Sequence, residues 1–355
     1  MDVSDGYRKA RERFVELAEQ VGLDVQSHDT GLKGPGTDQP IRLMTDVAVA
    51  NADVCSHVLL ITTGLHGVEG HLGSAVLFDT LDRWRERMPK CRCVLIHALN
   101  PYGYAFNRRF DESNVDLNRN FLEDDQQYCG SPPMYAELDH LLNPPCPPAR
   151  WDAFVIKALG FVARHGMSKL QRAIAEGQYD FPRGLFFGGQ RPGWANKFLR
   201  DLLPQLLSGA NAVTHVDIHS GLGKWANLEL LVDVSPTDSQ RRWLSDDRRG
   251  GYRCSEEASS DYSARGTLGC WSARQELADD YLYMCAEFGT YPPIRVLNAL
   301  RRENQAHHHT PEGSAEWLAE KKRLQEVFFP ANRTWLDQVV QRAAALIDDA
   351  QGRVR

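Results

Sequence analysis

Apolar residues recur along this chain with two distinct periods. Phe14, Leu17, Ala18 and Val21 follow the helical period, which predicts an amphipathic helix near the start. Val54 to Thr63 (VCSHVLLITT) is a β-branched apolar run ending at Gly64, which predicts a buried strand meeting a loop. A helix is predicted over 71–86. Residues 93–99 (CVLIHAL) predict a second buried strand, stopped by Asn100-Pro101. Strand, helix, strand requires a parallel crossover and therefore an α/β fold. Further strands are expected at 212–218, 228–234 and 281–288. Further helices are expected at 151–176, 195–208, most of 293–306, 313–328 and 333–349. Residues 22–52 are mixed and Gly-rich and carry no predicted element. Residues 124–150 (with CGSPP and LNPPCPPAR) read as a surface excursion. The Gly- and aromatic-rich stretch 181–194 (FPRGLFFGGQRPGW) reads as an irregular loop that lines a site.

The chain has 355 residues, long for one average domain and short for two. α/β domains often exceed the average, so we read a single domain over 1–355. The formal net charge is -6, and no long basic run is present, which argues against a nucleic-acid partner. No stretch approaches the roughly 18 apolar residues that a membrane span needs. The start, MDVSDGYRKARERF, lacks the apolar core of a secretory signal, so a cytoplasmic location and no membrane are expected. Eight cysteines are scattered without a CxxC pair, and are read as reduced, mostly buried thiols.

Candidate chemistry starts at Leu65-His66-Gly67-Val68-Glu69-Gly70, directly after a predicted buried strand. Open α/β sheets place their sites at the carboxyl ends of strands. A His and a Glu three positions apart in a tight turn can reach one cation, and Gly64, Gly67 and Gly70 let the turn form. A catalytic zinc takes three protein ligands and keeps one open position, and two His with one Glu is a standard set. Asp217-Ile218-His219-Ser220-Gly221, at the end of another apolar strand, supplies the third ligand, His219. The run His307-His308-His309 is a rival, read as a solvated helix end whose partial positive charge suits the helix dipole. No G-x-G-x-x-G opens a helix after a strand, which excludes a dinucleotide fingerprint.

Four blocks in this order resemble the carboxypeptidase A-like superfamily of zinc peptidases, with aspartoacylase and succinylglutamate desuccinylase as relatives. They are HGVEG (66–70), NPYGYAFNRRFDESNVDLNRNF (100–121), DIHSG (217–221) and Glu287-Phe288-Gly289-Thr290. The segments GLFFGG and EFGTYPP are most similar to a bacterial branch known only as a domain of unknown function. The resemblance implies a mixed, mostly parallel twisted sheet of about eight strands flanked by helices. It also sets residues 124–195 apart as an insertion.

The same resemblance implies roles. His66, Glu69 and His219 hold one Zn2+ per chain. Glu287 moves the proton of the attacking water. Arg109 stabilises the oxyanion, with its neighbour Arg108 as the alternative and as a further substrate contact. Asn118 and Arg119 clamp a substrate carboxylate, for which the planar guanidinium is suited. Asp116 accepts a hydrogen bond from the free nitrogen of His66, and Asn120 supports the loop. Tyr262 and Tyr291 are candidates to close over a substrate. Arg265 and Arg274 could meet an acidic substrate side chain, or else be solvated.

The expected reaction is hydrolysis of an amide next to a free carboxylate, as a metallocarboxypeptidase acting on a small peptide. The alternative is a deacylase of small N-acyl amino acids. A non-catalytic binding module is a remote third reading, and oligomeric state is left open.

Overall fold

The computed structural model describes residues 5–35, 40–51, 53, 56–246, 251–256 and 264–353. Among them eight strands form one sheet. They are β1 (Asp24–Lys33), β2 (Arg42–Ala50), β3 (His57–Thr63), β4 (Arg92–His97), β5 (Ala212–Ser220), β6 (Leu228–Val232), β7 (Tyr252–Cys254) and β8 (Asp280–Phe288). Their order across the sheet is β1-β2-β4-β3-β5-β8-β6-β7. The centre, β4-β3-β5-β8, is parallel throughout. β1 and β2 run antiparallel at one side, and β6 is antiparallel to β8 at the other. The fold is therefore a mixed α/β sheet flanked by helices.

Among the described residues twelve α-helices accompany it. They are α1 (Asp5–Gln20), α2 (Gly70–Glu86), α3 (Pro101–Ala105), α4 (Pro133–Leu142), α5 (Phe154–His165), α6 (Met167–Ala175), α7 (Trp194–Leu206), α8 (Asp238–Leu244), α9 (Leu268–Arg274), α10 (Pro293–His309), α11 (Ala315–Phe328) and α12 (Arg333–Gln351). Leu17 of α1, Leu72 and Val76 of α2, and Val339 and Leu346 of α12 pack on one face of the sheet. Leu199 and Leu203 of α7 and Trp271 of α9 pack on the other, over Leu60, Ile96 and Val213. A third apolar cluster joins α4 and α6 of the 124–195 segment to Val296 of α10 and Leu324 of α11. No helix among the described residues is long and apolar enough to cross a membrane.

The departures from the expected elements have physical causes. β1 and β2 form where the sequence pattern predicts no element. β1 (DVQSHDTGLK) is an edge strand with no fully buried residue, and β2 buries Thr45 and Asp46 among its apolar residues. Neither shows the apolar alternation of a half-buried strand. Asp46 is held by Ser27 (2.5 Å) and Arg11 (2.9 Å). The excursion at 124–150 contains α4, whose Tyr135, Leu138 and Leu142 are buried. α8 and α9 are seven-residue helices, too short for periodicity to reveal, and each starts at a capping Thr, Thr237 and Thr267. The seven described cysteines are free, and Cys129 and Cys146 are exposed rather than buried.

The histidine run also differs from its expectation. His307 to His309 end α10 but are only partly exposed. Burial pulls His307 and His308 well below the usual imidazole range, with Arg108 adding to it. Both shifts favour the neutral ring, against the expected positive charge at this helix end.

Two more imidazoles are fully buried in the sheet. Burial pulls His97 down to about 3 and His215 to about 4. Their folded values lie below the unfolded value near 6.5, so the unfolded chain binds more protons between pH 6.5 and 4. Stability is present above that window and falls as pH drops through it, by about 1.4 kcal/mol per pH unit for each histidine. His71, His307 and His308 are lowered as well and act the same way, outweighing Glu287 and Asp111, whose raised values act in the opposite direction, so the urea midpoint of metal-free protein is expected to fall from pH 7 to pH 5. A flat midpoint would mean that these rings take up protons in place.

Candidate metal centre

β3 delivers the first ligand. After Thr63 the chain turns at Gly64 (φ 64°), and His66 leads into a single 3-10 turn, Gly67–Glu69, that runs on into α2. Gly67 is required here. A Cβ on it would lie 2.1 Å from the Gly103 carbonyl carbon, because the turn is pressed against the 100–109 loop. Backbone bonds fix that contact: Val68 N–H donates to Arg108 O (2.7 Å) and Gly67 N–H to Arg109 O (3.2 Å). β5 and β8 deliver the rest. Their parallel register sets His219 beside Glu287 near the carboxyl ends of both strands.

The side chains converge. His66 Nδ1 lies 2.9 Å from Glu69 Oε1, and His219 Nδ1 lies 2.9 Å from Glu69 Oε2. All three residues are buried, and their ligand atoms lie within 4.8 Å of one another. Each far ring nitrogen meets a carboxylate: His66 Nε2 is 3.2 Å from Asp116 Oδ1, and His219 Nε2 is 2.6 Å from Asp217 Oδ2. Without a cation each Nδ1 meets a Glu69 carboxylate oxygen; with Nε2–H kept on its own carboxylate, each Nδ1 can exchange that bond for a cation at the shared point, the arrangement a metal-binding imidazole needs. The donor set of two imidazoles and one carboxylate fits zinc. A second group, His219, Cys285 and Glu287, is also close enough to hold an ion. It is the poorer set, because burial pushes the Cys285 thiol well up and away from the thiolate that a metal takes.

Charge is tightly balanced around this point. Burial raises Glu69 and Asp116, but the imidazoles of His66 and His219 hold Glu69 well below the usual carboxylate range, and Arg109 and His66 do the same for Asp116. Glu287 is the exception. Burial and the nearby Glu69 push it up to about 7, and Leu222 N–H donates to its Oε1 (2.8 Å).

The other expected residues divide. Arg109 lies at the centre: its Nε donates to Asp116 Oδ2 (2.9 Å), Nη1 is 3.5 Å from Glu69 Oε1, and its guanidinium sits over the Phe186 ring at 5.6 Å. Arg108 does not join it. It is buried, ion-paired with Glu303 (3.1 Å), and bonded to Asn114 (2.7 Å) and Asn304 (3.2 Å). Glu303 also pairs with Lys321. An arginine so enclosed ties the loop to α10, which corrects the expected substrate contact. Asp116 caps a 3-10 turn, Leu117–Arg119, and accepts from Asn118 N–H (3.1 Å). Asn118 Oδ1 accepts from Leu268 N–H (3.0 Å), so the group it offers a ligand is its NH2. Arg119 is buried and donates to Asn118 O (2.6 Å); burial lowers its pKa, with Asp116 opposing. Asn120 bonds Gly188, Arg191 and Gly193, and so supports the loop.

The aromatic loop lies at the centre, with Phe187 O accepting from Asp116 N–H (2.7 Å); just ahead of it, Tyr179 OH donates to Arg119 O (2.8 Å). Tyr291 OH donates to Glu326 Oε1 (2.6 Å), and Tyr262 lies outside the described residues. Arg265 donates to Gln127 O and Cys129 O, and Arg274 pairs with Glu256 while half exposed. Neither contact offers an inward charge. Asp217 joins the site as the partner of His219, a role the sequence motif alone does not assign. The available signal was D-x-H on a strand, since a period of two puts both side chains on one face. A separate cavity of about 690 Å³, lined by Asp233, Gln240, Tyr281 and Tyr283 among others, holds none of the predicted site residues.

A family model described as "Protein of unknown function (DUF2817)" matches residues 3–342. No curated protein matches the chain. Among solved structures the chain is similar to a carboxypeptidase A from Helicoverpa armigera, at 14% identity and TM-score 0.44, covering 88% of this chain and 71% of that one. It is similar to bovine thrombin-activatable fibrinolysis inhibitor, at 12% identity and TM-score 0.48, covering 96% and 97%. It is also similar to a succinylglutamate desuccinylase from Chromobacterium violaceum, at 14% identity and TM-score 0.41, covering 90% and 74%. Likeness at this level assigns no activity to the chain.

Proposed function

The chain belongs to the DUF2817 family, and from that premise we propose that it is a zinc-dependent hydrolase of an amide bond next to a free carboxylate, acting as a metallocarboxypeptidase. The observation that carries this reading is the convergence of His66 Nδ1, Glu69 and His219 Nδ1 with Glu287 and Arg109 beside them. When bound there, zinc supplies Lewis-acid chemistry, polarising the amide carbonyl and making a water acidic near neutral pH.

The chain's own groups do the rest. Asp116 and Asp217 orient the two imidazoles. Glu287, which burial and Glu69 push up in the metal-free protein, takes a proton from the attacking water and returns it to the leaving amine. Arg109 presents its guanidinium, anchored through Nε by Asp116, to the oxygen on which negative charge develops. The NH2 of Asn118 and the guanidinium of Arg119 hold the substrate carboxylate, which fixes the scissile bond relative to Glu287.

A specific observation supports the deacylase as the second reading. The 124–195 insertion lies directly against the clamp: a Cβ on Gly177 would come within 2.6 Å of Arg119 Cδ, and Phe186 lies under Arg109. Such a wall favours small substrates.

The test is a turnover screen of zinc-loaded protein by mass spectrometry, over dipeptides, longer peptides and N-acyl amino acids. Release of C-terminal residues is the expected result. Cleavage of N-acyl amino acids alone transfers the protein to the second reading, and silence with zinc bound removes both. Within the active class, Arg119→Ala is expected to raise KM by about 10- to 100-fold, as for loss of a charged hydrogen bond. The rise should be confined to substrates with a free carboxylate. An equal rise for amidated substrates would remove Arg119 from the clamp.

A further inference from the structure

Asp217 accepts more than the His219 proton. Thr62 Oγ1 lies 2.6 Å from Asp217 Oδ1, and Tyr283 OH donates to Asp217 Oδ2 (3.0 Å). Behind Thr62 the chain of bonds continues: His215 Nε2 is 2.9 Å from Thr62 Oγ1, and Tyr281 OH is 2.9 Å from His215 Nδ1. The sheet builds this column. Thr62 of β3 pairs with Asp217 of β5, and His215 of β5 pairs with Tyr283 of β8. Residues 215, 217 and 219 point to one face because a strand alternates. Thr62, His215 and Asp217 are fully buried, in a layer otherwise made of Leu60, Ile96, Val213 and Trp271.

Proton counting gives the column one direction. An ionised carboxylate only accepts, so the single Thr62 proton goes to Asp217. Thr62 Oγ1 must then accept from His215 Nε2–H, and His215 Nδ1, left as an acceptor, takes the Tyr281 proton. Every donor faces Asp217. Chains of this kind polarise one another in a low-dielectric interior. A polar column crossing an apolar layer is expensive unless it is fully satisfied.

We propose that Thr62, His215, Tyr281 and Tyr283 are positioning residues for the metal: a one-directional hydrogen-bond relay that fixes the Asp217 carboxylate, and through it holds His219 with Nε2 donating and Nδ1 presented to the cation. The proposal rests on reading His66, Glu69 and His219 as a metal site. The relay moves no proton in the reaction; it sets how well His219 binds.

The experiment compares wild type with Thr62→Val, Tyr283→Phe and Tyr281→Phe, and with Thr80→Val as a control. Thr80 is buried but bonds only within α2. Zinc affinity is measured by competition with a chromophoric chelator, cobalt(II)-loaded protein by its visible spectrum, and metal-free stability by urea. Thr62→Val and Tyr283→Phe are expected to weaken zinc binding about 10- to 100-fold, the usual cost of losing a partner of a metal-binding histidine, and to shift the cobalt bands. Tyr281→Phe, two bonds further out, should act in the same direction and less, and Thr80→Val should leave both readouts unchanged. If Thr62→Val does not fold, the two tyrosine variants carry the test. Wild-type zinc affinity and cobalt spectrum in folded Tyr283→Phe would overturn the relay, even with lowered stability. Wild-type protein that binds no zinc would overturn the reading of the centre itself, which is a different outcome.

Discussion

Glu287→Gln is expected to lower kcat by about 10³-fold while the protein keeps its zinc. General acid-base catalysis by one positioned group is worth about 10²- to 10⁴-fold, and glutamine keeps the size and the acceptor of glutamate while losing its proton chemistry. The bond from Leu222 N–H to Oε1 can persist in the variant, so the local backbone has no reason to move. The measurement pairs single-turnover kinetics with metal content by atomic absorption. Retained zinc with lost turnover assigns Glu287 to proton transfer. Lost zinc would instead make Glu287 a ligand and favour the alternative set with His219 and Cys285. Retained turnover would move the proton-transfer role to another group.

His219→Ala should fail in the opposite way, losing the metal first and turnover as a consequence. Structural zinc sites with four protein ligands are worth about 10–16 kcal/mol, about 2.5–4 kcal/mol per ligand, so loss of one of the three here is expected to cost roughly 10²- to 10³-fold in affinity. The variant also leaves Glu69 and Asp217 as buried carboxylates without the imidazole between them. Some loss of stability should therefore accompany the loss of zinc. Equilibrium dialysis against buffered zinc reads the affinity directly, and undiminished occupancy would remove His219 from the site. The two variants separate chemistry from binding: one keeps zinc without turnover, and the other loses zinc itself.

The chain's own pattern determined a good deal. The buried runs of β3, β4 and β8 are largely apolar, because strands covered on both faces need no polar alternation, whereas β5 (AVTHVDIHS) is buried throughout yet interleaves apolar with polar residues. His66 and Glu69 are three positions apart in one turn, so their closeness is local. His219 and Glu287 each stand at a strand end that the apolar run marks. What is local or periodic can be read along a chain.

What the tertiary structure decided is non-local. Arg108 and Arg109 are adjacent, yet one is enclosed by Glu303 and Asn304 of α10 and the other faces Glu69 and Asp116. The difference is made by residues almost two hundred positions away. β1 and β2 have no strong pattern and become strands because β4 offers an edge to pair with. The His307–His309 run looks solvated in sequence, but burial beside Arg108 pulls His307 and His308 down, away from the charged form. The column from Tyr281 to Asp217 depends on cross-strand register, since Thr62 and Asp217 meet across 155 positions of chain. Spacing along one strand can show that Asp217 and His219 share a face. Only the pairing of three strands shows what stands behind them.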